Sequence, residues 1–376
     1  MIKFSTAPTR NILDKLGCPD EKLKIIHIAG TNGKGSTAEF FTRILIAVGK
    51  KVGTFTSPEV YSFYDQFKID GEPVTCEVFD KYRAQAVCFA DGASEFEIIT
   101  AAAISAFAGE GCEWAVIECG MGGLNDATNA IAKKELAVIT SISLEHTAFL
   151  GNTVKEICFQ KAGIIKNCPA IINAHQSEEA REFFKGYKFA DKIDGIFDGG
   201  FIYGGKEFTL NAFGCLQPHN AACAIEGARI LKIDEAAIYE GIKNCYPRGR
   251  LEKFIIDGRE YILDGAHNPA AFEPLKEYLF SRDCKRTVIF GCLNDKDIDG
   301  NLANICANEI IAVACPGPRA RTLEETYAHC RKQFGKRARK AKSLAEALDT
   351  ADGEIVAVCG SFTLLKEAYA WIEKRQ

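Results

Sequence analysis

A glycine-rich loop between an apolar strand pattern and a helical pattern constrains this chain more than any other sequence feature. The apolar run Lys24–Ala29 leads into the loop, and apolar residues at helical spacing begin at Phe40. The loop residues, in order, are Gly30, Thr31, Asn32, Gly33, Lys34, Gly35, Ser36 and Thr37. Glycines let backbone amides converge on an oxyanion, a helix N-terminus adds partial positive charge, and Lys34 adds a full charge. The pattern therefore predicts nucleotide binding, with the hydroxyl of Ser36 or Thr37 offered to Mg²⁺.

The loop differs from the literal Gly-x-x-x-x-Gly-Lys-Ser/Thr pattern of phosphate-binding loops. Ile28 takes the first glycine position, and Gly35 follows the lysine directly. A plain glycine turn would account for the glycines, but it would not account for Lys34 with two hydroxyl residues behind it.

Short apolar runs alternate with helical-period segments along most of the chain, which predicts an α/β fold with a mostly parallel sheet. The clearest strand candidates lie at residues 24–29, 114–118, 136–140 and 170–172. Each is followed by a loop rich in polar residues. Because ligands of open α/β sheets bind beyond the carboxyl ends of the strands, these loops are the expected place for a site.

A change of pattern near residue 246 predicts a domain boundary. Residues 191–212 indicate short antiparallel strands, and residues 219–231 indicate a helix. The helical pattern then stops at Pro247, and a hairpin signal at Asp257-Gly258 opens a second series of strands and helices. We therefore expect a phosphate-loop ATPase domain over residues 1–246 and a smaller, Rossmann-like α/β domain over residues 247–376.

Composition and charge exclude several classes of protein. The net charge of −4 gives no general attraction for nucleic acid or anionic membranes. Seven basic residues between Arg331 and Lys342 are interpreted as a solvated helix face, with attraction of an anionic substrate tail as the alternative. Neither a membrane-spanning run nor the apolar core of a signal peptide is present in the sequence, so we expect a cytoplasmic protein. The sixteen cysteines lack any Cys-x-x-Cys pair and are interpreted as buried thiols, such as Cys88 in an apolar run.

Seven sequence blocks, in family order over nearly the whole chain, resemble one family. The blocks are residues 27–37 (HIAGTNGKGST), 52–58 (VGTFTSP), 117–123 with 126–129 (IECGMGG and DATN), 140–147 (TSISLEHT), 160–165 (QKAGII), 248–251 (RGRL) and 263–269 (LDGAHNP). Together they are similar to the folylpolyglutamate synthase and dihydrofolate synthase branch of the Mur ligase family. The resemblance implies a ligase that moves the γ-phosphoryl group of ATP onto a substrate carboxylate, after which an amine attacks the acyl phosphate.

The resemblance implies two Mg²⁺ ions as well as ATP. Ser57 and Glu118 would share one ion, and His146 would hold the second. A hard carboxylate oxygen at the predicted end of a strand suits Mg²⁺, although a strand-terminal Glu can also simply face water. The resemblance further implies that Lys161 is carbamylated and supports the metal site. The alternative is a surface lysine on an amphipathic helix.

Other blocks supply residues for the nucleotide and for proton transfer. The resemblance assigns Asn220, Arg250 and Asp264 to the nucleotide, the last two reaching across a cleft from the second domain. Asn220 could instead be a helix N-cap. Arg250 has the fixed charge and paired donors of a phosphate clamp. Asp264 and His267 could position the incoming ammonium group and accept its proton.

The acceptor side rests on Phe96, Glu97 and Asp126, which match the region where relatives hold a pterin. An aromatic ring and a carboxylate could stack on and hydrogen-bond such a ring system, but a buried Phe at a helix start is equally ordinary. The family commonly has Gly-Gly-Arg-Leu-Asp-Ala-Thr-Asn here. This chain has Leu124-Asn125 before Asp126 and lacks the arginine.

The resemblance thus implies a Mg-ATP-dependent ligase that joins L-glutamate to dihydropteroate or to a reduced folate, in folate biosynthesis and one-carbon metabolism. The expected partners are small-molecule substrates, with neither nucleic acid nor a membrane, and the expected state is a monomer. One alternative is another Mur-type ligase acting on a cell-wall nucleotide precursor. The other is a nucleotide-binding switch or regulatory ATPase, which would keep Lys34 but would have no use for Lys161, Asp264 and His267 together.

Overall fold

A computed structural model describes residues 5–376, which divide into two compact units. The first unit comprises the described chain up to Pro58 together with Tyr64–Asn211 and Leu216–Cys245. The second comprises Tyr246–Gln376 and two short upstream segments, Glu59–Phe63 and Ala212–Cys215. The sequence did not predict that these two segments leave the first unit. The reason for the first of them is apolar packing: Val60 and Tyr61 lie against a buried cluster of the second unit, where the Tyr61 ring meets the Tyr369 ring edge-on at 6.0 Å.

The first unit carries nine α-helices and eleven strands among its described residues. The helices are α1 (Ala7–Lys15), α2 (Lys34–Ala47), α3 (Cys76–Val87), α4 (Glu95–Gly109), α5 (Thr147–Leu150), α6 (Val154–Ala162), α7 (Glu178–Phe183), α8 (Gln217–Ile230) and α9 (Glu235–Lys243). The strands are β1 (Lys24–Ala29), β2 (Val52–Phe55), β3 (Phe67–Ile69), β4 (Glu72–Pro73), β5 (Trp114–Glu118), β6 (Leu136–Ile139), β7 (Ala170–Asn173), β8 (Lys188–Ala190), β9 (Ile193–Phe197), β10 (Gly200–Tyr203) and β11 (Lys206–Thr209). Short 3₁₀ helices at Pro19–Lys22, Phe63–Gln66 and Ala127–Ala130 complete the order along the chain.

The strands of the first unit form two sheets, and the larger one sets the site. Its order is β4-β3-β2-β5-β1-β6-β7-β8, parallel from β2 to β8, with an antiparallel edge at β3 and β4. The central strands are buried on both faces, as their continuous apolar runs require. Strands β9, β10 and β11 form a separate antiparallel sheet. Because β2, β5, β1 and β6 run in one direction, the loops that follow them emerge at one edge of the sheet.

The second unit is a six-stranded sheet with flanking helices. Its strands are β12 (Glu252–Ile256), β13 (Arg259–Leu263), β14 (Arg286–Phe290), β15 (Glu309–Ala312), β16 (Ala338–Lys340) and β17 (Ile355–Cys359). Its α-helices are α10 (Glu273–Phe280), α11 (Ile298–Leu302), α12 (Leu323–Phe334), α13 (Leu344–Thr350) and α14 (Phe362–Glu373), and 3₁₀ turns lie at Pro269–Phe272 and Gly335–Arg337. The strand order is β12-β13-β17-β14-β15-β16, with only the β12–β13 hairpin antiparallel. Apolar clusters fill both faces of this sheet.

The α/β class and the predicted strands are confirmed, but two local expectations are wrong. Cys88 is exposed, because α3 ends at Val87 and the thiol turns back to the carbonyl of Ala84. All sixteen cysteines lie within the described residues and are free thiols, nine of them buried. The basic run from Arg331 to Lys342 is not one helix face: α12 ends at Phe334, and a 3₁₀ turn and β16 follow. No helix within residues 5–376 combines the length and the apolar character needed to cross a membrane.

Candidate active site

The phosphate loop connects the carboxyl end of β1 to the N-terminus of α2, where Gly33 is the N-cap residue with φ of 89°. A Cβ on Gly33 would overlap the side-chain oxygen of Asn220, and a Cβ on Gly30 would overlap the Thr140 hydroxyl. Glycine is therefore required at both positions by close approach as well as by positive φ. The amides of Thr31 and Asn32 both bond to the carbonyl of Ser141, at 2.8 and 3.2 Å. These bonds occupy the first two amides of the loop. The amides that remain available to an anion are those of the first turn of α2, which have no partner within the helix.

Lys34 and Glu118 form the charged centre of the first unit. Lys34 Nζ lies 3.1 Å from the carbonyl of Thr31 and 3.6 Å from Glu118 Oε1. Glu118 is the last residue of β5 and is 2% exposed, so it does not simply face water. The backbone N–H of Ser57 approaches its other oxygen at 3.4 Å. Because β2 pairs with β5 in register, with Phe55 opposite Ile117, the residues after both strands meet at this point.

The hydroxyl groups behind Lys34 have different surroundings. Ser36 Oγ accepts a hydrogen bond from the Gln217 amide at 3.3 Å. Thr37 Oγ1 is buried and has no hydrogen-bond partner in the structure. A buried orphan hydroxyl costs free energy unless a ligand or water satisfies it, so Thr37 fits a loop that closes around a bound phosphate and its metal ion.

The metal ligands expected from the sequence do not form a preformed metal-binding site made of protein side chains alone. Within residues 5–376, no three His, Cys, Asp or Glu side chains are grouped so that they could hold a metal ion. Glu118 and Ser57 nevertheless fit Mg²⁺, which takes one or two protein oxygens and completes its shell with water and substrate phosphates. His146 caps the short helix α5 with φ of 52°, and its Nε2 lies 4.0 Å from Glu145 Oε1.

Lys161 projects from the last turn of α6 into the buried floor of the phosphate loop. Its Nζ donates to the carbonyl of Gly30 at 2.6 Å, and the residue is 3% exposed. Burial, followed by the positive charge of Lys34, lowers the pKa of Lys161 to about 7. The surface-lysine alternative is therefore wrong. The amine is in large part neutral near neutral pH, which is the form that reacts with carbon dioxide.

Asn220 lies inside α8 and is not its N-cap, because the helix begins at Gln217. Its amide donates to Gln217 Oε1 at 3.3 Å, and its oxygen accepts from Asn173 Nδ2 at 3.4 Å. Sequence reasoning missed Gln217, which joins Asn220 to Ser36 of the phosphate loop. The only sequence signal was its place at the start of the Gln-Pro-His-Asn segment.

Lys134 is a second buried lysine that sequence reasoning missed, since it stands beside Lys133 and Glu135 in what reads as a charged surface stretch. Its Nζ donates to Asn129 Oδ1 at 2.6 Å and to the carbonyl of Ile164 at 2.9 Å. Asn129 in turn donates to the carbonyl of Gly163 at 3.1 Å. These bonds tie the loop that carries Asp126 to the end of the helix that carries Lys161.

The three residues expected on the acceptor side have distinct surroundings. The Phe96 ring covers Gly120, where an added Cβ would overlap it. The Glu97 carboxylate is engaged in a capping box, accepting from the N–H and hydroxyl of Ser94 at 2.6 and 2.7 Å. Asp126 is buried, which raises its pKa, and it accepts from the backbone N–H of Met121 at 2.7 Å. A role for Glu97 toward a substrate would require it to release its own helix cap.

Arg250, Asp264 and His267 come together in the second unit. Asp264 accepts from the backbone N–H groups of Leu251 at 2.8 Å and Ala266 at 2.7 Å. Burial raises the pKa of Asp264 to about 6, although Arg250 and these bonds act in the opposite direction. The Arg250 guanidinium stacks over the Phe362 ring at 4.3 Å.

The His267 ring is oriented by the backbone. Its Nδ1 lies 2.8 Å from the carbonyl of Gly265. Since a carbonyl only accepts, Nδ1 is the donor in this contact, and Nε2 is the ring nitrogen that can exchange a proton with a substrate. Asn301, which sequence reasoning missed, donates to the backbone carbonyl of His267 at 3.1 Å and so stabilises the loop that carries His267.

Comparisons with known proteins identify the family of this chain. The family model described as the Mur ligase middle domain matches residues 28–194, and that described as the Mur ligase glutamate ligase domain matches residues 249–362. The dihydrofolate synthase/folylpolyglutamate synthase of Bacillus subtilis is 30% identical over 369 residues, covering 87% of this chain and 85% of the relative.

Two solved structures are similar along the whole chain. FolC of E. coli in complex with DHPP and ADP has a TM-score of 0.88 at 28% identity, covering 100% of this chain and 94% of its own. A bifunctional folylpolyglutamate synthase/dihydrofolate synthase with Mn, AMPPNP and L-glutamate bound has a TM-score of 0.86 at 26% identity, covering 99% of this chain and 95% of its own. The chain therefore belongs to the Mur ligase family, in its dihydrofolate synthase and folylpolyglutamate synthase branch.

Proposed function

We propose that this protein is an ATP-dependent ligase that joins L-glutamate to a folate-type carboxylate through an acyl phosphate. Its family supplies the reaction class. The observation that carries the proposal in this chain is the placement of Lys34, Glu118 and Ser57 together at the N-terminus of α2. A triphosphate and a carboxylate repel one another, and this group of residues supplies the cation, the helix N-terminus and the metal ligands that offset the repulsion.

In this proposal the first-turn amides of α2 and Lys34 hold the terminal phosphates of ATP. Glu118 and Ser57 would hold a divalent ion, which when bound neutralises charge that develops on the transferred phosphoryl group. Lys161, as a carbamate, would support the metal site from beneath the Gly30 carbonyl. A second ion at His146 remains a prediction from the resemblance.

The amine half of the reaction needs a group that orients the glutamate ammonium and a group that takes its proton. The buried Asp264 carboxylate and the His267 imidazole suit these two tasks, and Arg250 suits a phosphate.

Two acceptors are proposed, dihydropteroate and a reduced folate, because this chain is similar both to dihydrofolate synthases and to folylpolyglutamate synthases. We expect the chain to act as a monomer in the cytoplasm.

One assay tests the proposal: purified protein, Mg-ATP and labelled glutamate, with dihydropteroate and tetrahydrofolate offered in parallel and a cell-wall nucleotide precursor in a third, comparison reaction. We expect ADP release that depends on glutamate and on at least one acceptor, with label appearing in the product. ADP release indifferent to glutamate and to both acceptors would identify an ATPase. Glutamate-dependent release with a cell-wall nucleotide precursor alone would identify a different Mur-type ligase.

A further inference from the structure

A buried polar cluster links the strand of the phosphate loop to the loop that carries Asp126. We call it the His27 cluster, and its members are His27, Cys119, Asp126 and Thr128. His27 Nε2 lies 2.8 Å from Thr128 Oγ1 and 3.1 Å from Cys119 Sγ. Thr128 Oγ1 lies 2.5 Å from Asp126 Oδ1. All four residues are at most 6% exposed.

Proton counting sets the direction of this chain of hydrogen bonds. Backbone N–H groups donate to both oxygens of Asp126, which favours its ionised form. An ionised carboxylate only accepts and a threonine hydroxyl has one proton, so Thr128 donates to Asp126 Oδ1 at 2.5 Å and not to Cys119 Sγ at 3.4 Å. The 2.8 Å contact between Thr128 and His27 then requires His27 Nε2 to be the donor. His27 Nδ1 is therefore a bare lone pair, and it is the ring atom that is buried without a partner. The reverse direction would require a protonated Asp126 and would bury an unpartnered N–H donor at Nδ1.

The surroundings agree with a neutral imidazole that donates through Nε2. His27 is fully buried, and this burial holds its pKa well below the usual range for histidine. The cationic side chains of Lys134 and Lys166 act in the same direction. The lowered pKa favours the neutral imidazole, which donates through Nε2.

The cluster fixes both oxygens of Asp126. Oδ1 accepts from the hydroxyl and from the backbone N–H of Thr128, at 2.5 and 3.0 Å, and Oδ2 accepts from Met121 N–H at 2.7 Å. Oδ2 thus has one acceptor position left, since a carboxylate oxygen can take two bonds. A ring N–H group of a substrate is the kind of donor that this position would accept.

We propose that His27 and Thr128 are positioning residues that hold the Asp126 carboxylate in one orientation for an N–H donor on the heterocycle of the acceptor. The inference rests on the proposed function, together with the contact between Asp126 and the acceptor that the family resemblance implies. Its consequence is specific: Thr128 acts on the acceptor only through Asp126. Asp126 is also the N-cap of the 3₁₀ turn Ala127–Ala130. A hydroxyl that only supported this cap would have no such selectivity.

The test compares Thr128→Val, which keeps the shape and removes the hydroxyl, with Thr128→Ser, which keeps the hydroxyl. We expect Thr128→Val to raise the acceptor KM by about tenfold, the usual effect of losing a hydrogen bond to a charged group, while the ATP KM changes by less than about twofold. Thr128→Ser is expected to remain close to the parent chain. In the Asp126→Asn background, Thr128→Val is expected to add less than about twofold, because the group it acts through is already altered.

Matched variants separate positioning from stability. Thr326→Val removes an equally buried threonine hydroxyl from α12 of the second unit, and it should change neither KM. His27→Gln keeps a side-chain N–H donor and is expected to retain more acceptor affinity than His27→Leu. Thermal unfolding of each variant shows that the kinetics come from folded protein.

Several outcomes would overturn the inference while leaving the proposed function intact. These are an unchanged acceptor KM in Thr128→Val, equal rises in the acceptor and ATP KM values, equal effects of Val and Ser, or an undiminished effect in the Asp126→Asn background. A parent chain that incorporates no glutamate with either acceptor would overturn the proposed function, and the inference would fall with it.

Discussion

Lys161 offers the most demanding test of the site in the first unit. Burial and the charge of Lys34 lower its pKa from the ordinary 10.5 to about 7. At pH 7.5 a lysine with the ordinary pKa is neutral in about one molecule in a thousand, whereas a pKa near 7 leaves about three quarters neutral. Carbon dioxide reacts only with the neutral amine. The protein environment therefore increases the reactive fraction several-hundred-fold, by this order-of-magnitude reasoning.

Lys161→Ala removes the group that would carry the carbamate. We expect turnover to fall by about 10- to 100-fold, the usual cost of losing a group that supports a metal site, and acetate to restore part of it by supplying a small carboxylate. With limiting bicarbonate, parent activity should also fall about fivefold between pH 7 and pH 6 as the amine becomes charged. Acetate-rescued Lys161→Ala should lack this component of the pH profile. Labelled glutamate incorporation measures each of these quantities.

Lys155 provides the control for Lys161, since it lies exposed on the same helix. Lys155→Ala should keep full turnover and should not respond to acetate. The carbamate hypothesis is refuted if Lys161→Ala keeps full turnover, or if acetate restores nothing to a folded Lys161→Ala protein.

Three further substitutions test other parts of the site. Gly33→Ala places a Cβ against the Asn220 side chain at a positive φ, and we expect it to raise the ATP KM by about tenfold or more. Gly49→Ala is the control, because Gly49 has a similar φ of 76° but open space around it. This control should lower the stability of the protein without changing the ATP KM. Glu118→Gln should raise the Mg²⁺ concentration needed for half-maximal ADP release by about tenfold, and an unchanged titration curve would show that Glu118 is not a ligand. Burial raises the pKa of Asp264 to about 6, so the folded chain binds this proton more tightly than the unfolded chain, and stability is lost as pH rises from about 4 to 6. The free energy of unfolding of Asp264→Asn should therefore rise relative to that of the parent by up to about 3 kcal/mol between pH 4 and pH 7. A difference in unfolding free energy between the two proteins that does not vary with pH would contradict this.

Local sequence determined the elements that carry the chemistry. The strand, glycine loop and helix around Lys34 follow from an apolar run, residues that tolerate positive φ and a helical pattern, all within one continuous segment. The family resemblance identified Glu118, Lys161 and Asp264 as candidate site residues. It could do so because each of them lies in a short sequence block that can be recognised without knowing the three-dimensional structure.

Only the tertiary structure decided what those residues touch. Ser57 and Glu118 meet because β2 pairs with β5, and sheet order depends on packing between distant segments that no local pattern encodes. Burial is equally non-local: Lys134 stands in a charged stretch and is nevertheless enclosed, because Asn129 and the end of α6 provide its partners. The His27 cluster likewise draws on three separate segments. A sequence states which groups a chain possesses, whereas the distances, dielectric surroundings and proton positions that give them a function arise only when those segments pack together.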